Sequence, residues 1–182
     1  MNTKLTPITQ DSLTEASALI QSGQLVAFPT ETVYGLGGSA LDAQAVLNIF
    51  RAKERPVDNP LIVHIASRDQ AFPLCRWTDL ADTLASAFWP GPLTLLLRRT
   101  EMVPDVVTAG LSTVALRLPA HQGALAFLRA CALPVAAPSA NRSGRPSPTT
   151  AQHVMEDMDG RIPLILDGGA SGVGAVPGLE HD

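Results

Sequence analysis

Apolar positions recur along the chain with two different periods, and the alternation between them predicts helices and strands taking turns. In residues 11–22, Leu13, Ala16, Leu19 and Ile20 share one face at helical spacing, and Gly23 closes the helix. The apolar run 25–28 reads as a strand, and the polar, glycine-rich stretch after it as a loop. Asp42 then caps a second helix in which Val46, Ile49 and Phe50 fall at i, i+3 and i+4, and Pro56 stops it. Another strand is predicted at 61–63, with His64 near its end. Residues 67–88 read as two helical pieces broken at Pro73, the second capped by Thr78, and Trp89-Pro90-Gly91-Pro92 ends them. Strands follow at 93–98 and 113–118 with a loop or short helix at 103–111 between them, then a helix at 120–132 and a short strand at 135–137. Residues 138–149 are too rich in Ser, Pro and Gly for regular structure, and a helix at 150–158 and a strand at 162–166 complete the pattern. Alternation of this kind indicates an α/β domain, with a strand order that the pattern does not contain.

Composition narrows the picture. At 182 residues, 46% of them hydrophobic, the chain suits a single domain spanning 1–182, with a glycine-rich tail from 170 onward. A net charge of −4 argues against broad nonspecific binding to nucleic acid and leaves room for a local basic groove. No apolar run approaches the ~20 residues that span a bilayer, and none resembles a signal peptide, so a soluble, cytoplasmic chain without membrane contact is expected. Cys75 and Cys131 fall in separate predicted helical regions without Cys-x-x-Cys spacing, which reads as two buried reduced thiols and no zinc site.

Three clusters could carry chemistry. Gly35-x-Gly37-x-x-Ala40 formally matches a dinucleotide fingerprint, but Thr30 to Tyr34 separate it from the preceding strand, and a tight loop with positive φ angles is the preferred reading. Lys53 and Arg55 sit at a helix end, where cations help to cap exposed carbonyls, and Arg117 stands between two leucines in a strand, facing either solvent or a cleft. In a cleft its planar fork would suit a carboxylate or phosphate. Ser139, Asn141, Arg142, Ser143, Arg145 and Ser147 lie on a loop after a strand, suited equally to satisfying turn backbones and to holding the phosphates and ribose of a nucleotide. In α/β sheets ligand sites gather at the carboxyl ends of strands, where these groups and the loop Pro29-Thr30-Glu31-Thr32 could converge.

In this order, PTETVYGLG, K-x-R followed by PLIVH, the A-L-R-x-P strand and P-S-A-N-x-S-G resemble the YrdC/TsaC family of L-threonylcarbamoyladenylate synthases, over residues 25–167. The resemblance implies a twisted, largely parallel or mixed α/β sheet with flanking helices and a concave basic cleft. It implies a nucleotidyltransferase that joins L-threonine, bicarbonate or CO2, and ATP into threonylcarbamoyl-AMP with release of pyrophosphate. Mg2+ would accompany ATP with no metal ligands from protein side chains, and a separate transferase complex would use the product to modify tRNA. Carried onto this chain, it places Thr32, His64 and Arg117 around threonine, Arg117 on the carboxylate. It places Lys53, Arg55, Asn59, Thr113, Ser139, Asn141 and Ser147 on ATP, with Lys53 and Arg55 as the catalytic cations. A fold of this kind serving only as a double-stranded RNA or tRNA-binding module is the alternative from another class.

The sequence departs from the family pattern in two places. After Asp167-Gly168-Gly169 the family continues into a Gly-x-Glu-Ser-Thr-Val strand whose Ser helps to hold threonine, whereas this chain reads ASGVGAVPGLEHD, with Gly178-Leu179-Glu180 as the remnant. Ala137 stands where some members carry Thr. A chain without the large C-terminal domain of longer members is expected.

Overall fold

In a computed structural model of the chain, which describes residues 1–172, eight strands form one sheet. They are β1 (Lys4–Pro7), β2 (Val26–Pro29), β3 (Tyr34–Ser39), β4 (Ile62–His64), β5 (Leu95–Arg98), β6 (Thr113–Arg117), β7 (Val135–Ala136) and β8 (Leu164–Asp167). Their order is β1-β8-β2-β3-β7-β4-β6-β5. The pairs β1–β8, β2–β8 and β4–β6 are parallel and the other four antiparallel, so the sheet is mixed. Seven α-helices connect the strands among the described residues: α1 (Gln10–Gln21), α2 (Ala43–Lys53), α3 (Arg68–Ala71), α4 (Asp79–Phe88), α5 (Asp105–Thr108), α6 (Gln122–Cys131) and α7 (Ala151–Met158). Two of their starts follow capping residues read from the sequence: Asp42 accepts from the amides of Gln44 and Ala45, and Thr78 from that of Ala81. Thr150, expected inside a helix, instead caps α7 by accepting from the His153 amide.

Side-chain alternation along the strands divides the core in two. One sheet face carries Ala27, Leu36, Val63, Val114, Leu116 and Ile165 against α2, α4, α5 and α7. On the other face, Val26, Phe28, Val135, Leu164 and Leu166 pack against Ile20 of α1 and Phe127 and Leu128 of α6. These two helices cover only the half of that face nearest β8 and β2. Toward β5 it is bare, as the 69% exposure of Leu96 shows. A half-face without a helical cover is therefore built into the topology.

The stretch expected as a glycine-rich loop is strand β3. None of Gly35, Gly37 and Gly38 has a positive φ, so conformational freedom is not what selects glycine there. The reason is space: a Cβ on Gly37 would lie 2.9 Å from Val135 Cγ1 and 3.0 Å from Phe28 Cε1, and one on Gly38 3.0 Å from Leu25 Cδ2. Gly37→Ala is expected to lower stability by about 1–3 kcal/mol through overpacking, read as a lower midpoint in urea unfolding. An unchanged midpoint would mean that the neighbours yield freely. Strand β1 was not anticipated, because four residues of mixed polarity carry no periodic signal. It is held by pairing with β8 instead. Cys131 lies in α6, whereas Cys75 follows a 3-10 turn (Phe72–Leu74) in extended backbone rather than in a helix, and both thiols are buried and free. Residues 173–182, with the remnant Gly178-Leu179-Glu180 and the end of the expected tail, lie outside the described residues.

Candidate active site

The site begins with register. The parallel pairing of β4 and β6 sets His64 directly beside Arg117 at the carboxyl ends of both strands, on the bare half-face. Arg117 is only 7% exposed, so the cleft orientation left open by the sequence is the one adopted. Its Nε donates to the Gly91 carbonyl at 3.3 Å, its Nη1 reaches Thr32 Oγ1 at 3.4 Å, and its Nη2 pairs with the Glu31 carboxylate. The other Glu31 oxygen accepts from the Ala120 amide at 2.6 Å. The 30–33 turn that supplies these groups is held by Thr30 Oγ1, which lies 3.0 Å from Thr32 Oγ1 and donates to the Val33 carbonyl at 2.7 Å. Arg117, Thr30, Thr32 and Val33 line a lobe of about 250 Å3 with Gly35, Ile62 and His64.

His64 is enclosed. Its ring stands edge-on to Phe28 with centroids 5.8 Å apart, and Nδ1 lies 3.2 Å from the Ile62 carbonyl. Burial, reinforced by the neighbouring Arg117 charge, pulls its pKa down to about 3. The imidazole is neutral at physiological pH and too weak a base to take a proton from an ammonium group, which leaves it the role of a hydrogen-bonding partner.

A second lobe of about 400 Å3 is lined by Lys53, Arg55, Asn59, Ser139 and Asn141, and it shares Arg55 and Ser139 with the first. Here the structure corrects the expectation of two exposed helix-end cations. Lys53 is 2% exposed, with Nζ bonded to the Ser139 carbonyl, because the last turn of α2 faces the 139–145 loop. Burial first, and then the Arg55 charge, lower its pKa to about 8. Glu54 adopts a left-handed conformation at the helix end, which turns the chain so that half-buried Arg55 enters the cleft. Asn141 serves both readings of its loop: Nδ2 donates to the carbonyls of Arg142 and Arg145 at 2.9 and 2.8 Å, while Oδ1 is buried with no partner among the described residues. Arg142 and Arg145 are engaged by Asp157 of α7, at 3.9 and 3.0 Å, and so turn away from a ligand role.

Two expected residues do not line either lobe. Thr113 opens β6, two residues before Ala115, which pairs with the cleft-lining Ile62. Ser147 precedes Pro148, whose carbonyl accepts from the Tyr34 amide at 2.9 Å. Glu31 was overlooked as a site residue, although a carboxylate in a polar loop after a strand is a natural counter-ion for a buried arginine. Glu31→Gln is expected to cost about 1–3 kcal/mol by leaving a charge-assisted bond unmade, measured by urea unfolding. Full retention of stability would mean that the pair does not form in solution.

Fold and site together define a mixed α/β domain with a two-lobed, cation-lined cleft on an uncovered half-sheet. The chain belongs to the Sua5/YciO/YrdC family, whose model, described as "Telomere recombination", matches residues 18–177. It is 57% identical over 160 residues to the threonylcarbamoyl-AMP synthase of Pyrococcus abyssi, covering 87% of this chain and 47% of that protein. It is 54% identical over 164 residues to the enzyme of the same name from Bacillus subtilis, covering 89% and 47%. Among solved structures, Sua5 of Pyrococcus abyssi complexed with L-threonine superposes with a TM-score of 0.91 at 52% identity, covering 93% of this chain and 51% of that one. The chain thus spans about half the length of these relatives. No helix among the described residues is long and apolar enough to cross a membrane.

Proposed function

We propose that this chain is an L-threonylcarbamoyladenylate synthase, a nucleotidyltransferase that converts L-threonine, bicarbonate or CO2, and ATP into threonylcarbamoyl-AMP and pyrophosphate. The observation that carries this reading is the meeting of two lobes at Arg55 and Ser139, one with a buried guanidinium fork and the other with two cations. The similarity to synthases and to a threonine-complexed structure supports it.

In this reading Arg117 takes the threonine carboxylate bidentately, and Thr32 and His64 accept or donate hydrogen bonds around the rest of the amino acid. The amine adds to CO2 with loss of a proton, forming a carbamate. A carbamate oxygen then attacks the α-phosphorus of ATP, and pyrophosphate leaves. Both reactants are anions, so Lys53 and Arg55 lower the barrier by offsetting their repulsion and the charge that gathers on the phosphoryl oxygens. Asn59, Ser139 and the unpartnered Asn141 Oδ1 are placed to hold the nucleotide in the second lobe, with Thr113 and Ser147 at its margins. Among the described residues no group of three or more His, Cys, Asp or Glu could cage a metal, and the second lobe offers the single carboxylate Asp58. That fits Mg2+ arriving on the ATP phosphates, where it would neutralise their charge.

The product is handed to a transferase complex for tRNA modification, in the cytoplasm. A chain that only bound duplex RNA would have little use for Arg117 and Lys53, which are 7% and 2% exposed and beyond the reach of a duplex. Pyrophosphate release from ATP with bicarbonate, with and without L-threonine, tests the proposal. Threonine-dependent release is expected, and release that ignores threonine, or none from folded protein, would overturn it.

A further inference from the structure

Asp157 is a carboxylate on the inner face of α7, three residues after the core residue Val154, and it is 6% exposed. Its Oδ2 accepts from the Arg142 amide at 3.0 Å, and its Oδ1 lies 3.0 Å from Arg145 Nε and 3.9 Å from Arg142 Nη2. The two arginines have little need of it, because their side chains are 31% and 49% exposed and water can solvate them. The carboxylate, by contrast, gives up most of its hydration. The ion pairs alone do not account for a charge in this place; the loop that they hold does.

Residues 139–145 form no regular structure, and they are anchored twice. Lys53 supplies one anchor: its carbonyl accepts from the Ser143 amide at 2.8 Å, and its Nζ donates to the Ser139 carbonyl. Asp157 supplies the other, through Arg142 and Arg145. Between the anchors, Asn141 commits Nδ2 to the carbonyls of those same two arginines, at 2.9 and 2.8 Å. With both donor hydrogens committed the amide plane is fixed, and Oδ1 is the group left without a partner among the described residues. Ser139, Asn141, Ser143 and Gly144 line the second lobe with Lys53 and Arg55. The anchors therefore decide whether these groups meet a nucleotide already arranged or have to be ordered on binding.

We propose that Asp157 is a positioning residue of the nucleotide lobe, holding the 139–145 loop so that Ser139 and Asn141 are presented to ATP. This rests on the synthase reading. The carboxylate also acts on the lobe through its charge. Burial first, and then Arg55, lower the pKa of Lys53, and Asp157 opposes them. The other charged groups around Lys53 are Asp58 in the second lobe, Arg142 and Arg145 on the loop, and Glu54 and Arg161, which pair with each other beside the end of α2. Of these anions only Asp157 is buried, where salt screens its charge least.

The test is equilibrium binding of ATP with Mg2+, as a function of pH, to wild type, Asp157→Asn and Arg145→Gln, with thermal unfolding to verify that the variants fold. Asparagine keeps the volume and an acceptor for the Arg142 amide while removing the charge. Asp157→Asn should bind ATP about ten-fold more weakly, the cost of a loop that must be ordered on binding. The pH at which affinity begins to fall should also lie below that of wild type, because Lys53 sheds its proton more readily once the carboxylate is gone. Arg145→Gln, which opens one side of the clamp from the surface, should weaken ATP without moving that pH downward, and it carries the test if Asp157→Asn does not fold. A merely structural carboxylate would lower the unfolding midpoint and leave the affinity of the folded protein and its pH profile as in wild type, and that result would overturn the proposal. If wild type binds ATP but releases no pyrophosphate in the presence of threonine, the synthase reading fails, while the comparison with Asp157→Asn still decides the role of Asp157. A wild type that binds no ATP removes both.

Discussion

Replacing Lys53 by methionine is expected to cut threonine-dependent pyrophosphate release at least about 100-fold, the usual cost of removing one electrostatic donor from a transition state, while the unfolding midpoint stays the same or rises. Both halves follow from burial. An ammonium that is 2% exposed forgoes most of its hydration, and methionine fills a similar volume without that penalty. A purely structural lysine would behave oppositely, with activity and stability falling together. The pH dependence has a definite sign. The folded pKa is about 8 against an ordinary 10.5, so between these values the unfolded chain binds a proton that the folded chain lacks. Stability therefore gains from this residue as pH rises through that window, and the gain should vanish in Lys53→Met. ATP affinity should move the other way, falling as pH passes about 8 and the cation is lost. Wild-type and variant curves that are superimposable in both assays would remove Lys53 from the mechanism. Truncation to alanine would be a poorer test, because it leaves a cavity where an exposed residue had been expected.

Arg117→Lys is expected to raise the KM for threonine by about 10- to 100-fold while changing the KM for ATP by no more than about three-fold. A guanidinium can meet Glu31 with one edge and a substrate carboxylate with another; an ammonium is a point charge and must share. The Nε bond to the Gly91 carbonyl also fixes the plane of the fork, and lysine cannot reproduce it. Steady-state kinetics with each substrate varied in turn checks the split. Equal losses for threonine and ATP would mean that Arg117 supports the cleft as a whole instead of reading the carboxylate.

Much of the site could be read in the chain because its residues cluster in short segments with local physical signals. The strand ending at His64, the helix capped by Asp42, and the loop holding Ser139 and Asn141 were all placed by periodicity, capping and turn chemistry. The misreadings share a cause. Lys53 looked like a helix-end cation because position in a helix says nothing about what packs against its last turn, here the carbonyl of Ser139, 86 residues away. Gly35, Gly37 and Gly38 looked like a loop because glycine normally reports backbone freedom. Their actual constraint is the proximity of Phe28, Val135 and Ile49. Glu31 lies within the motif PTETVYGLG, but its partner Arg117 is distant in sequence and no local pattern joins them.

By itself, then, the sequence determined the succession of helices and strands, the α/β class and the family, since these depend on period, capping and motif order within a few tens of residues. Only the tertiary structure decided the strand order, the half-face that α1 and α6 leave bare, and the burial of Lys53 and Arg117. Each of these depends on register and packing between segments far apart in the chain, and a one-residue shift of register would turn every such side chain to the opposite face.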